Sequence, residues 1–388
     1  MDSLEKTSKF HFKGDKILLI IVFVLTALST LLVYSTGGKE VLTHIIHLSF
    51  CYAALVFFYF LDYRILGAFA PLILLVSIAL LILTLLSDAV RGIVISGHSF
   101  QTFYLIGFGV IIYVSHYIAR HYKNGDELNK NELIHLFGIT LLFTICMAKL
   151  NNSTAIIFFV TCMVMFFVAN IKSSYLLTVL GGLVVMGGLL ALLVFVNVKA
   201  GNDVQIGRMS TLVNRIEYYF TKDNSQHYGD QMVLSRAAIA RGGFHPAGPG
   251  KGVIKNRLPE NNTDYAFASI YEETGIVVGL LIILSYIIFL YRAREISKNA
   301  GGPFGKLLAF GIGFWLTCQA FVHIGVNCSL LPATGQTLPF ISSGGASLGI
   351  SGAAVGILLN ISKIDAKHIA KNTVKPKFVR GDETTREQ

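Results

Sequence analysis

Charge is what this sequence has least of. Only 14% of its 388 residues are Asp, Glu, Lys or Arg, against about 25% in an average soluble domain. At the same time 53% are hydrophobic and the mean hydropathy is +0.63. So few charges cannot cover a water-facing surface of this size, which excludes a soluble enzyme, a disordered chain and a coiled coil. Cysteine is scarce too, with five in the chain. Cys51, Cys146, Cys162 and Cys318 fall inside apolar runs, where a thiol behaves as a small hydrophobe. Cys328 has no evident partner. Neither a disulfide framework nor a metal-ligand spacing is present. The formal net charge of +10 does not point to nucleic acid, because in so apolar a chain the placement of the charges matters more than their sum.

What the sequence does have is long apolar runs. Ten approach the 17–25 residues that cross a bilayer as a helix: Ile17–Tyr34, Val41–Leu61, Ile65–Leu86, Phe100–Ile118, Leu133–Met147, Thr154–Ile171, Tyr175–Val198, Ala266–Tyr291, Leu307–Val326 and Gly345–Ile361. The fifth is short and the last is glycine-rich. The first is too long and too apolar for a cleavable signal peptide. The fold class expected is an all-α polytopic membrane protein with about ten transmembrane helices.

Basic residues orient it. With the N-terminus in the cytoplasm, 20 Lys and Arg fall on the inner side and three on the outer side, with nine in the long loop after the seventh span. Cytoplasmic loops carry the excess of Lys and Arg, and long loops are largely exempt. Both termini are therefore expected in the cytoplasm. The chain divides into a tail (1–16), a transmembrane domain (17–362) with a long extracytoplasmic loop (199–264) between helices 7 and 8, and a basic tail (363–388). The simplest role of that last tail is a topology anchor near anionic lipid.

A loop as long as 199–264 is uncommon unless it is functional. Its Arg208, Arg215, Arg236, Arg241, Lys251, Lys255 and Arg257 fit either an anionic substrate or lipid headgroups. Leu212, Val213, Ile216, Tyr219 and Phe220 recur at helical spacing, which predicts a short helix in the membrane interface. The glycine-rich stretch Gly242–Gly252 follows no strand and faces away from cytoplasmic nucleotide, so a phosphate-binding loop fails its context test. Tightly turned backbone is expected instead.

Asp264 stands at the mouth of the eighth span. There a carboxylate either caps the helix or serves as a general base or cation ligand. Glu272 and Glu273 lie inside that span. Adjacent side chains diverge by about 100° on a helix, so the two are not expected to face the same way. Burying either in lipid is costly, so at least one should meet a polar cavity or a partner helix. Between the last two spans, Asn327–Ser347 combines two prolines, several glycines and many hydroxyls. It must be partly non-helical, and such backbone is tolerated at membrane depth where it is buried in protein or lines a cavity.

These residues carry a resemblance. Leu330-Leu331-Pro332, Thr334-Gly335, Leu338-Pro339-Phe340-Ile341-Ser342, Gly344-Gly345 and Ser347 resemble the signature LLPxTGxxLPFISxGGxS of the SEDS family, the FtsW, RodA and SpoVE group. Leu258-Pro259-Glu260 with Thr263-Asp264 resembles its LPExxTDF, with Tyr265 for Phe, and Glu272-Glu273-Thr274-Gly275 resembles its EExG. Trp315 and Gln319-Ala320 fit as well, while His323 stands where Asn is usual. The first half departs. QPSE is here Gln101-Thr102-Phe103-Tyr104, and PDLGTA is here Leu150-Asn151-Asn152-Ser153-Thr154-Ala155, so two acidic positions are lost. Asn327 and Gln336-Thr337 look most like divergent FtsW proteins.

The resemblance implies a peptidoglycan glycosyltransferase in the bacterial cytoplasmic (inner) membrane, active in cell division. Its substrate would be lipid II, polymerised with release of the carrier diphosphate. Asp264 matches the family's essential Asp and would be the catalytic base. Arg208, Arg215, Lys251 and Lys255 would contact the diphosphate, with Glu260, Ser342 and Ser343 as further substrate-binding candidates. Glu272, Glu273, Pro332, Pro339, Gly344 and Gly345 would shape the cavity. A divalent cation, Mg2+ or Mn2+, would be held partly by the substrate, with no dedicated protein site. The expected partner is a class B penicillin-binding protein. A lipid-linked precursor flippase and a non-catalytic division scaffold are the rival readings. The flippase is disfavoured because no internal repeat is evident.

Overall fold

The computed structural model describes residues 14–37, 40–87, 93–95, 98–121, 128–182 and 227–373. It is a helix bundle. Its helices are α1 (Lys16–Ser35), α2 (Val41–Phe60), α3 (Tyr63–Ala68), α4 (Ala70–Leu86), α5 (Thr102–His121), α6 (Lys130–Leu150), α7 (Asn152–Val168), α8 (His227–Gly242), α9 (Ala266–Asn299), α10 (Pro303–Asn327) and α11 (Gly345–Thr373). Residues 173–182 are helical as well. Seven of the described helices are long and apolar enough to cross a membrane, and α4 and α7 are shorter apolar helices. A small antiparallel hairpin, β1 (Ile93–Ile95) and β2 (His98–Phe100), joins α4 to α5 and pairs Val94 with Ser99. It is an addition to the all-helical expectation.

Several spans differ from the sequence reading. The third is broken at Phe69 into α3 and α4, with Asp62 capping α3 through the Arg64 amide (2.9 Å). The fifth is a full 21 residues, started by a capping box between Asn129 and Glu132. The sixth stops where Asn170 turns left-handed (φ 58°). The last helix runs on to Thr373, past the boundary placed at residue 362. Helix α8 lies in the loop where no helix was expected. It packs one face, Met232, Ser235 and Ala238, inward against α9 and α10. The interfacial helix expected at 212–220 and most of the seventh span lie outside the described residues.

Helices α5 and α10 form the centre, with Ile111, Val114, Leu308 and Ile312 fully buried or nearly so. The outer helices leave Ile20, Phe23, Ile46, Leu75 and Leu280 exposed, as a lipid-facing surface requires. The glycine-rich last helix makes the closest packing. On α11, Gly349, Gly352 and Gly356 lie against Phe50, Cys51 and Leu55 of α2, where a Cβ would strike the neighbouring atoms. Small residues of this kind let helix backbones approach in a membrane. Asn360 then locks α11 to the α2–α3 corner. Its Oδ1 accepts the Tyr63 amide (3.0 Å), and its Nδ2 donates to the Tyr59 carbonyl (2.8 Å). At that same end Asp15 caps α1 and takes Arg292 of α9 through both Nε (2.7 Å) and Nη2 (2.5 Å).

Candidate functional site

The opposite end of the bundle gathers the polar chemistry. The segment between α10 and α11 is irregular, and Gln336–Ser342 is buried throughout, as its prolines and glycines led one to expect. Gly335 and Phe340 take positive φ (68° and 65°). The Pro339 carbonyl accepts the Tyr286 hydroxyl of α9. Pro332, Gly344 and Gly345 belong to the same fold-back. A Cβ on Gly345 would meet the His47 ring at 2.7 Å, and one on Gly344 would meet Ser347 Oγ at 3.0 Å.

Against this segment lies the turn that carries Asp264. Glu260, with φ 55°, accepts the amides of Thr263 and Tyr265 at 3.1 Å each. Its carboxylate accepts the Thr263 hydroxyl (2.6 Å). Ser342 Oγ donates to the Thr263 carbonyl (2.7 Å) and accepts the Leu338 amide (2.8 Å). The Ser343 amide donates to the Asn262 carbonyl (2.9 Å). Asn262 Nδ2 reaches Thr36 Oγ1 (3.1 Å) and Glu40 Oε2 (3.3 Å) at the α1–α2 junction. Its Oδ1 is buried with no hydrogen-bond partner among the described residues. Ser342, a substrate-binding candidate from sequence, is thus fully engaged in holding the turn.

Asp264 itself is half-buried. The N-cap position of α9 is Tyr265, one residue after Asp264, and the Tyr265 side chain makes no capping hydrogen bond. The first-turn amides go to α10 instead. The Phe267 amide donates to His323 Nε2 (3.4 Å), and the Ala268 amide to Asn327 Oδ1 (2.9 Å). Asn327 Nδ2 returns to the Asp264 carbonyl (3.1 Å). One buried amide therefore fixes both the backbone of Asp264 and the start of α9. His323, whose Nε2 accepts, carries its proton on Nδ1 and donates it to the Gln336 carbonyl (2.7 Å).

Glu272 and Glu273 correct the expectation that they diverge. Both carboxylates bind the same loop. Glu272 accepts the amides of Val253, Ile254 (3.0 Å each) and Lys255 (2.7 Å), with Arg241 Nε at 3.5 Å. Glu273 accepts the amides of Gly250 (3.0 Å) and Gly252 (3.4 Å) and pairs with Lys255 Nζ at 2.6 Å. The reason is a break in the helix. Gly275 (φ 76°, ψ −169°) interrupts α9. The freed Ile276 amide goes to the Gly243 carbonyl, and the Glu272 and Glu273 carbonyls take the Ala247 and Gly248 amides. The 243–255 loop wraps the broken turn and so meets both side chains, with Gly248 and Gly250 at positive φ (89° and 76°).

Lys255 is the second correction. It is 0% exposed, and its ammonium is held by Glu273 and Ser35. A cation so enclosed is part of the loop's anchor and is not presented to a diphosphate. Lys251 and Glu260 are exposed. Arg208 and Arg215 lie outside the described residues. Among the described residues, no group of three or more His, Cys, Asp or Glu side chains could hold a metal ion.

A third set of residues, singled out from sequence but not as one group, meets in the structure. Gln336 Nε2 donates to Asn151 Oδ1 (3.1 Å) and Thr154 Oγ1 (2.6 Å), while Gln336 Oε1 accepts from the Tyr104 hydroxyl (3.4 Å). That hydroxyl also meets Thr337 Oγ1 (2.9 Å). The two positions where acids were lost therefore converge on one buried glutamine. Polar residues in apolar surroundings were the available signal.

A bundle of membrane-length helices with its polar chemistry gathered at one end defines a polytopic membrane protein. Residues 13–367 match the family described as cell cycle protein, FtsW/RodA/SpoVE. The chain is 28% identical over 369 residues to stage V sporulation protein E of Bacillus subtilis (strain 168), covering 90% of this chain and 97% of that one. It is 32% identical over 263 residues to a protein of Dichelobacter nodosus named probable peptidoglycan glycosyltransferase FtsW, covering 66% and 62%. Its fold is similar to a chain of a peptidoglycan synthase complex that coordinates polymerization and crosslinking (TM-score 0.70, 20% identity, 91% and 98% covered). It is similar also to the rod shape determining protein RodA of Thermus thermophilus (TM-score 0.61, 19% identity, 90% and 96% covered). The chain belongs to the FtsW/RodA/SpoVE family.

Proposed function

We propose that the chain is a peptidoglycan glycosyltransferase that polymerises lipid II at the outer face of the bacterial cytoplasmic membrane, in cell division. The observation that carries this reading is the Asp264 turn, clamped between Ser342, Ser343 and Asn327. A carboxylate on a fixed backbone at one end of a membrane bundle suits a reaction between lipid-anchored sugars. A sugar hydroxyl is a weak nucleophile. Asp264 takes its proton as the hydroxyl oxygen bonds to the anomeric carbon of the donor. The bond from that carbon to the diphosphate oxygen breaks, and the carrier diphosphate leaves with the electron pair. Exposed cations such as Lys251 favour that departure electrostatically. A divalent ion, Mg2+ or Mn2+, would be held partly by the substrate's diphosphate. The crosslinking partner in this reading is a class B penicillin-binding protein.

The test is lipid II polymerisation by the purified protein, with and without its cognate transpeptidase and with Mg2+ or Mn2+. Glycan from wild type and none from a folded Asp264→Asn variant is expected. Equal synthesis by both removes Asp264 as the base. No product from wild type with its partner present transfers the case to the scaffold or flippase.

A further inference from the structure

Two ion pairs mark the thickness of a bilayer across the bundle. Asp15 and Arg292 close one end (2.5 Å). Lys255 closes the other, bound to Glu273 (2.6 Å) and Ser35. Between them α1 runs 20 residues, Lys16–Ser35, or about 30 Å at ~1.5 Å per residue, the depth of a hydrocarbon core. Helix α9 agrees, since Glu273 to Arg292 covers about 28 Å. The loop that carries Lys255 is therefore held at the bilayer surface on the Asp264 side. Tyr34, 71% exposed beside Ser35, stands at the same level, where aromatic rings collect.

This loop is rigid, and it turns apolar side chains outward. Glu272 and Glu273 hold the amides of Gly250, Gly252, Val253, Ile254 and Lys255. Yet Phe244 is 83% exposed, and Pro246, Pro249 and Val253 are exposed with it. The loop also continues the lipid-facing strip of α9. The Gly243 carbonyl accepts the Ile276 amide (3.0 Å), and the residues next to that bond are Phe244 and the 75% exposed Val277. Leu280 and Leu284 carry the exposed strip down the helix. From Arg241 to Leu258 the sequence has Arg241, Lys251, Lys255 and Arg257 and neither Asp nor Glu. All of these cations but Lys255 are exposed.

We infer that the 243–253 loop is a membrane anchor, with Phe244, Pro246, Pro249 and Val253 seated in the headgroup region and Arg241, Lys251 and Arg257 at the level of the lipid phosphates. A rigid loop that kept this apolar area in water would forgo the gain of covering it. The level of the loop and its continuity with Val277, Leu280 and Leu284 supply lipid as the cover. Cations interleaved with apolar side chains suit a surface of phosphates over acyl chains. The loop leads directly into the Asp264 turn, so the anchor fixes the height of that turn over the bilayer. The inference rests on the membrane bundle and stands whether or not the proposed transferase chemistry does.

Tryptophan fluorescence of the full chain in lipid nanodiscs tests this. Trp315 is the single tryptophan and is buried, so wild type supplies the background to subtract from Phe244→Trp. The introduced indole is expected to emit to the blue of an indole in water and to be shielded from acrylamide. It should lose intensity in discs of brominated phospholipid, more with bromines near the head of the acyl chain than near its end. Val253→Trp is the second probe and should behave alike; a melting temperature near wild type in either shows that the fold is kept, as so exposed a site leads one to expect. Emission like that of an indole in water, open to acrylamide and indifferent to bromolipid at both positions, overturns the anchor. A greater loss with bromines near the chain end overturns the headgroup placement. Shielding that appears only when the cognate transpeptidase is added makes the loop a protein-docking surface and overturns lipid as its cover.

Discussion

Removing one member of the buried Lys255–Glu273 pair should loosen the loop that leads into the Asp264 turn. Lys255 is 0% exposed and Glu273 2%, so water cannot compensate a lost partner. In Glu273→Gln the amide oxygen still accepts the Gly250 amide, but the Lys255 ammonium keeps only Ser35. Breaking such a pair on one side costs about 3–5 kcal/mol, whereas replacing both members is often neutral. At 1.4 kcal/mol per factor of ten, the single variant should speed exchange at the loop amides by roughly two to nearly four powers of ten. The amides to watch are Gly250, Gly252, Val253, Ile254 and Lys255, all held by the two carboxylates. Lys255→Met/Glu273→Gln should return exchange close to wild type. Hydrogen-exchange mass spectrometry reads all three proteins. The reasoning fails if the double variant exchanges as fast as the single one, or if the single variant matches wild type.

Asn327→Leu strands the Ala268 amide and the Asp264 carbonyl, each at about 1–3 kcal/mol; it should lower both the melting temperature and lipid II polymerisation, and unaltered polymerisation would show that Asp264 needs no such clamp. Gly275→Ala forces a Cβ into a backbone region open essentially to glycine alone, at about 1–3 kcal/mol, and 3.0 Å from the Gly243 carbonyl; a melting temperature equal to wild type would contradict the observed break in α9. Asn151→Ala should cost about 1–3 kcal/mol through a lost cap and a lost Gln336 bond, and Asn151→Asp should also melt below wild type at neutral pH, because it keeps the acceptor but buries a charge with no counter-charge among its partners Ser153, Thr154 and Gln336; a melting temperature equal to wild type in both would contradict the network.

The spans were legible because bilayer-length apolar runs write themselves into hydropathy. The signature segments were legible because prolines and glycines cannot continue a helix. What stayed hidden depends on distant partners. Lys255 looks like any loop cation until Ser35, 220 residues away, is brought against it. The Glu272–Glu273 argument assumed an unbroken helix, and the break at Gly275 lets one loop reach both. Helix α8 carries a polar sequence, so hydropathy passed over it; its inward residues Met232, Ser235 and Ala238, three apart, were the faint signal. The third span splits at Phe69 because Pro71 has no amide for the helix ladder and is accommodated in the first turn of α4, a signal present in the sequence that hydropathy does not register.

The lost acidic positions bear on the scaffold reading, and the geometry weakens that use of them. Asn151 Oδ1 caps α7 through the Ser153 and Thr154 amides (3.1 Å each) while taking Gln336 Nε2. Every one of those contacts needs an acceptor, and none needs a charge. Tyr104 likewise supplies a hydroxyl that ties Gln336 and Thr337 to α5. Two carboxylates here would require counter-charge or a high desolvation cost. The neutral set requires neither, and it still pins the irregular segment to α5 and α7. The hydrogen bonding of the segment that carries Ser342, and through it the Asp264 turn, is made here by neutral groups at both positions. Under the proposed function the decisive test therefore falls on Asp264 itself, since neither neutral position removes the clamp that holds its turn.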